Sequence, residues 1–191
     1  DRDVLEFGAI EPNPSYETLM KAVALAREAH VDFLLAAGGG PVVDGTKFIA
    51  AAVPFPGDPW DLCQRHTPPS GALPIGVVLT LPATGSESNG YAVISRKATH
   101  EKLAFGHPSL FPRFAILDPE TTFSLPERQV ANGIVDAFVH VAEQYLTYPA
   151  DAPLQDRLSE SILQTLLEVG PRTLANPRDY EARASLMWCA N

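Results

Sequence analysis

The chain has 191 residues, 46% of them hydrophobic, and a formal net charge of 14 − 23 = −9 at pH 7. That is enough apolar material for one large or two small packed cores, and an acidic chain without a Lys/Arg cluster would be repelled by a phosphate backbone, which excludes nucleic acid as a partner. No apolar run approaches the ~20 residues of a bilayer span and the start DRDVLEF has no signal-peptide character, so a cytoplasmic protein without membrane contact is expected.

In chain order, Tyr16 to Ala29 carries helical periodicity, with Leu19, Val23 and Ala26 on one face and Asn13-Pro14-Ser15 available to cap it. The apolar run VDFLLAA, Val31 to Ala37, reads as a buried strand. Gly38-Gly39-Gly40 follows and leads into PVVDGTKFIAAA, where Pro41 suits a first helical turn, so strand, glycine turn and helix are predicted. Val53 to Leu73 has no period and reads as a long loop. PIGVVLTLP, YAVISR and FAILD are three short β-rich runs, the first ending in the polar turn Pro82-Ala83-Thr84-Gly85-Ser86-Glu87. From Ser124-Leu125-Pro126-Glu127, a capping-box pattern, the character changes. Glu127 to Thr147, Leu154 to Val169 and Asp179 to Ala190 are helical without an intervening strand. The predicted division is therefore an α/β part over residues 1–122 and an all-α part over 123–191.

Two features carry chemistry. Three glycines between a strand and a helix let backbone approach a ligand, and a helix start attracts an anion such as a pyrophosphate; a triple glycine also serves as a plain turn. Thr80, Thr84, Ser86 and Asn89 lie beyond a strand's carboxyl end, where open α/β sheets bind ligands, although turn chemistry favours the same residue types. The second feature is GIVDAFVHVAEQY, in which Asp136 and His140 sit one helical turn apart among apolar neighbours. Cβ atoms at i and i+4 are ~5 to 6 Å apart, so one divalent metal could bridge the two side chains. Alternatively His140 is a core histidine bonded to Asp136. Two donors are too few for a catalytic metal site, which needs three or more. Glu143 is close enough to act behind them, while His30, His66, His100 and His107 read as surface histidines. Cys63 and Cys189 lack ligand or disulfide spacing. Lys102, isolated in HEKLAF, reads as a solvated charge.

GGGPVVDGTKFIAAA, TLPATGSESN, AVISRK with EKLAF, LDP and NGIVDAFVHVAEQY, in this order, closely resemble the iron-containing (group III) alcohol dehydrogenases, in their butanol-dehydrogenase and NADPH-dependent aldehyde-reductase branch. The resemblance implies a Rossmann-like, dehydroquinate synthase-like nucleotide domain followed by a helical metal-binding domain. It implies that Gly38, Gly39 and Gly40 hold the pyrophosphate of NADP or NAD with Asp44 nearby, and that Thr80, Leu81, Ser86, Asn89 and Lys102 lie along the dinucleotide. Asp136 and His140 match the first two metal ligands, of Fe²⁺ or Zn²⁺, and hence the catalytic pair; the other two would be histidines beyond Asn191. The implied reaction is hydride transfer between NAD(P)H and an aldehyde or primary alcohol, in a homodimer. Pro41 departs from the family's usual Ser, which removes a hydroxyl and an N–H. Because the chain starts at Asp1 without a Met and stops inside a helical pattern, it reads as part of a longer protein that lacks the first strand-helix unit. Two alternatives follow: an inactive fragment with residual nucleotide binding, or an enzyme like dehydroquinate synthase or glycerol-phosphate dehydrogenase, for which basic residues are few.

Overall fold

The structure is a computed structural model that describes residues 3–147 and 151–191; Asp1 and Arg2, the start of the predicted α/β part, lie outside the described residues. It contains two compact units, Asp1–Val77 with Ser86–Ala115, and Val78–Gly85 with Ile116–Asn191. The fold class is the expected one, a Rossmann-like α/β region with a parallel sheet, followed by helices.

In the first unit, α1 (Tyr16–Glu28) starts where the Ser15 hydroxyl accepts the Thr18 N–H at 3.3 Å, and it buries Leu19, Ala22, Val23 and Ala26. An extended N-cap with a side-chain oxygen satisfies one of the helix's orphan donors, and the buried positions follow one 3.6-residue stripe. Strand β1 (Leu34–Gly39) passes directly into α2 (Gly40–Ala52), so the expected glycine turn is absorbed by the ends of the two elements. Gly38 is required by packing: a Cβ there would lie 2.6 Å from the Val42 Cβ. Helix α2 is buried from Thr46 to Ala52, as befits a helix covered on several sides.

The predicted loop after α2 contains a short helix, α3 (Asp61–Gln64), which buries Leu62 and Cys63. Its departure is fixed by Arg27, whose guanidinium donates to the carbonyls of Ala52 (2.6 Å), Val53 (2.9 Å) and Phe55 (3.1 Å) and so caps the C-terminus of α2. Strand β2 (Ile75–Leu81) lies between β1 and β5 (Phe114–Ile116) in a three-stranded sheet. Strands β3 (Tyr91–Arg96) and β4 (Glu101–Gly106) form an antiparallel hairpin, with Tyr91 opposite Gly106 and Arg96 opposite Glu101. Strand β4 is absent from the predicted elements because its period-two apolar pattern is only Leu103 and Phe105; pairing with β3 makes it a strand. Leu19, Val23, Phe48, Trp60, Leu62, Ile94, Phe105 and Leu110 share one core.

In the second unit, α4 (Glu127–Leu146) packs on α5 (Pro153–Ala175), and α5 on α6 (Tyr180–Cys189). Their core holds Val130, Ala137, Leu166, Val169, Leu186 and Ala190. The capping box expected at Ser124 does not form. Pro126 is the N-cap, without a side-chain bond, and its carbonyl accepts the N–H groups of Gln129 (2.8 Å) and Val130 (3.2 Å). Helix α5 runs past Val169 with Pro171 inside it. Proline removes an intrahelical bond, but Gly170 brings the helix so close that a Cβ there would be 3.2 Å from Ile134 Cγ2, and Thr173 is buried one turn on. Packing on both sides of the proline outweighs the local break. Among the described residues no helix is long and apolar enough to cross a membrane.

Candidate functional site

The strongest polar construction of the first unit is built on α2. Asp44 and Lys47 are three residues apart and therefore share a face. Lys47 is 0% exposed, in a helix otherwise lined with Phe48, Ile49 and alanines. A buried ammonium is costly unless it is surrounded by acceptors. Here Nζ donates to the Ser86 carbonyl (2.6 Å), the Tyr91 carbonyl (2.7 Å), Ser86 Oγ (2.8 Å) and Asn89 Oδ1 (3.1 Å). The Ser86 hydroxyl in turn donates to Asp44 Oδ1 at 2.6 Å, and the Val93 N–H donates to Asp44 Oδ2 at 2.9 Å. Asn89 Oδ1 also accepts the Tyr91 N–H at 2.8 Å. Burial pushes the Lys47 ammonium down to about 8, against the opposing pull of the Asp44 and Glu87 carboxylates. Burial raises the Asp44 carboxyl, and the Ser86 hydroxyl, the Val93 N–H and Lys47 oppose the rise.

The same helix presents its N-terminus at the triple glycine. Gly39 is the N-cap in extended conformation, no side chain bonds the first turn, and no acidic residue occupies it. Such a start, with Pro41 in its first turn, keeps backbone N–H groups and the positive end of the helix dipole available to an anion.

In the second unit Asp136 and His140 lie on one face of α4, with Nε2 and Oδ2 3.6 Å apart and the side chains 46% and 51% exposed. The apolar surroundings suggested by the sequence are therefore not a core at this point. Val135 and Val139, on the same helix, are themselves 61% and 53% exposed. The pair converges closely enough for both to hold one cation, but among the described residues no group of three or more His, Cys, Asp or Glu side chains could enclose a metal. Glu143 is exposed.

The sequence profile described as "Iron-containing alcohol dehydrogenase" matches residues 1–119, and that described as "Fe-containing alcohol dehydrogenase family, C-terminal" matches residues 130–191. The chain belongs to the iron-containing alcohol dehydrogenase family. It is 61% identical over 191 residues to the NADPH-dependent aldehyde reductase YqhD of Escherichia coli (strain K12), covering 98% of this chain and 49% of that protein. It is 45% identical over 185 residues to the probable NADH-dependent butanol dehydrogenase 1 of Bacillus subtilis (strain 168), covering 97% and 48%. The crystal structure of E. coli K-12 YqhD superposes with a TM-score of 0.96 at 60% identity, over 98% of this chain and 49% of that one. The chain thus spans about half the length of the curated relatives it matches.

For a member of the iron-containing alcohol dehydrogenases, the residues expected along a dinucleotide are distributed as follows. Gly38, Gly39 and Gly40 form the junction of β1 and α2, and Asp44, Ser86 and Asn89 meet around Lys47. Lys102, on the exposed side of β4, donates to Asn13 Oδ1 at 2.9 Å. Thr80 and Leu81 end β2 and belong to the second unit with Asp136 and His140. Of the histidines read as surface residues, His30, His66 and His100 are exposed at positive φ, and His107 caps the turn Pro108–Leu110. Lys47 is the residue that sequence reading passes over. Its signal was a single cation directly before the apolar stretch FIAAA, three positions after an aspartate.

Proposed function

We propose that the protein to which these residues belong transfers a hydride reversibly between NAD(P)H and an aldehyde or primary alcohol. The Asp136–His140 pair, one helical turn apart in a chain of this family, is the observation that carries the reading. A carboxylate and an imidazole suit Fe²⁺ or Zn²⁺, and a bound cation would supply Lewis-acid polarisation of the carbonyl oxygen. Asp136 and His140 would contribute two donors from one rigid helix, which fixes their separation before any ligand binds. Gly38, Gly39 and Gly40 would take the pyrophosphate against the uncapped start of α2. Thr80, Leu81, Ser86, Asn89 and Lys102 would line the rest of the dinucleotide. Residues 1–122 would act as the nucleotide domain and 123–191 as part of the metal domain, in a cytoplasmic homodimer.

The greater identity to the NADPH-dependent relative favours NADPH over NADH. Zinc and iron share the donor preference, and the family's own description favours iron. The decisive experiment is elemental analysis together with aldehyde reduction, for the full chain that its coding sequence specifies and for Asp136→Ala and His140→Ala. The expected result is one metal per chain in the parent and at least a ~100-fold loss of metal affinity in either variant. A metal-free parent that reduces aldehydes at full rate would overturn the reading.

One observation favours a second reading for the 191 residues taken alone. Two donors, with no third among the described residues, leave a metal site short of a catalytic set. In that case the isolated 191-residue chain binds dinucleotide without turnover, which NAD(P)H fluorescence and an aldehyde assay on the same sample distinguish.

A further inference from the structure

Lys47 has no role in the reading above, yet it is the most completely enclosed charge in the first unit. Its four acceptors all lie between Ser86 and Tyr91, on the segment that joins the end of β2 to β3. An ammonium has three N–H bonds, so four acceptors within 3.1 Å saturate it. Ser86 is held at two atoms, carbonyl and hydroxyl, and its hydroxyl proton is directed to Asp44. The orientation of the Asn89 amide is also settled by chemistry. Both of its neighbours here, the Lys47 ammonium and the Tyr91 N–H, are obligate donors, so the oxygen end must face them. One buried side chain therefore ties this segment to the core at Ser86, Asn89 and Tyr91.

We infer that Lys47 is a positioning residue for dinucleotide binding: from inside the core it pins the Ser86–Tyr91 segment in the conformation that receives the cofactor. This rests on the reading of Ser86 and Asn89 as part of the dinucleotide site. Lys47 itself, fully buried, does not touch the ligand. The ammonium adds four bonds from the core to a segment that begins with a single 3-10 turn, Ser86–Ser88. Without it, two carbonyls, a hydroxyl and an amide oxygen each lose the bond they accept from Lys47, and the tie between α2 and the segment is weakened at Ser86, Asn89 and Tyr91 together. A cation also does what a neutral donor cannot, because the Asp44 and Glu87 carboxylates act on the same group.

The test uses the full chain that its coding sequence specifies, with Lys47→Met, Lys47→Gln and, as a control, Leu62→Ala, which empties the same core on α3 without touching the segment. Dissociation constants for NADPH and NADH are measured by fluorescence beside thermal stability and steady-state kinetics. The expected result is a rise of at least tenfold in the dinucleotide Kd and KM for Lys47→Met, and a smaller rise for Lys47→Gln, which keeps two donors. The aldehyde KM should stay within twofold. Leu62→Ala should lower thermal stability with the dinucleotide Kd within twofold of wild type. Folded Lys47→Met protein with a Kd within twofold of wild type overturns the inference, as does a Leu62→Ala control that weakens binding equally. Should the Lys47 variants fail to fold, hydrogen exchange on wild type decides: NADPH is expected to slow the amides of residues 86–91, and unchanged exchange there overturns the inference. If wild type binds neither dinucleotide, the underlying reading fails first, which separates the two failures.

Discussion

In the α/β unit Lys47 is fully buried and Asp44 partly so, and both are bonded by neighbouring groups of the protein, whereas in the helical unit Asp136 and His140 stand about half exposed on α4. The apolar side chains do not differ in this way: both units have buried cores, Phe48 and Leu62 in the first and Leu166 and Leu186 in the second, and both expose large apolar side chains such as Tyr91 (69%) and Trp188 (76%). A polar group inside a core must be satisfied by the protein itself, at the time of folding. One on an exposed helix face can wait for a ligand. The first unit therefore carries its order internally, and the second carries a donor pair whose remaining partners have to be supplied.

That contrast can be broken by substitution. Phe48→Ala should have the largest effect, a loss of about 3–5 kcal/mol measured by denaturant unfolding, because Phe48 is 0% exposed in a crowded core. Leu166→Ala should cost about 2–3 kcal/mol, since the smaller helical core can collapse around the gap. If Leu166→Ala proves costlier than Phe48→Ala, the difference in internal order is wrong. Gly133→Ala sharpens the description of the helical unit: its Cβ would lie 2.9 Å from the Pro82 carbonyl oxygen, so a loss of about 1–3 kcal/mol is expected in thermal unfolding. Ser15→Ala, which removes the cap of α1, should cost about 1 kcal/mol.

The smallest effect is electrostatic. The Lys97 ammonium, 2.7 Å away, pulls the Glu11 carboxyl from 4.5 down to about 2. A carboxyl whose folded value lies below its unfolded value adds stability above pH 4.5, and that stability is lost as pH falls toward 2. Lys97→Ala should flatten this part of the stability profile between pH 2 and 5, with little change at pH 7 beyond that of an exposed ion pair. An unchanged acid limb would show that the pair is not formed in solution.

Local signals in the sequence were sufficient where a side chain and its partner are close along the chain. Ser15 capping α1, the apolar run of β2 and the i, i+4 spacing of Asp136 and His140 are of this kind, and the structure has all of them, whereas the run Val31 to Ala37, read as a buried strand, is a strand only from Leu34 and leaves Leu35 58% exposed. Signals that depend on a distant neighbour failed. Strand β4 exists through its pairing with β3, α5 continues through Pro171 because packing holds it on both sides, and the Ser124 box is replaced by the Pro126 carbonyl. Lys47 was missed for the same reason, since its acceptors begin 39 residues away.

The long helices, strands β2, β3 and β5, the glycine junction before α2 and the family resemblance were thus determined by the amino-acid sequence alone, because each depends on short-range periodicity or on residues adjacent in the chain. Which polar groups are buried, and with whom, was decided only by tertiary structure. Burial is a property of the assembled surroundings: of two apolar helices, α2 has Lys47 completely enclosed and α4 leaves Asp136 and His140 half open.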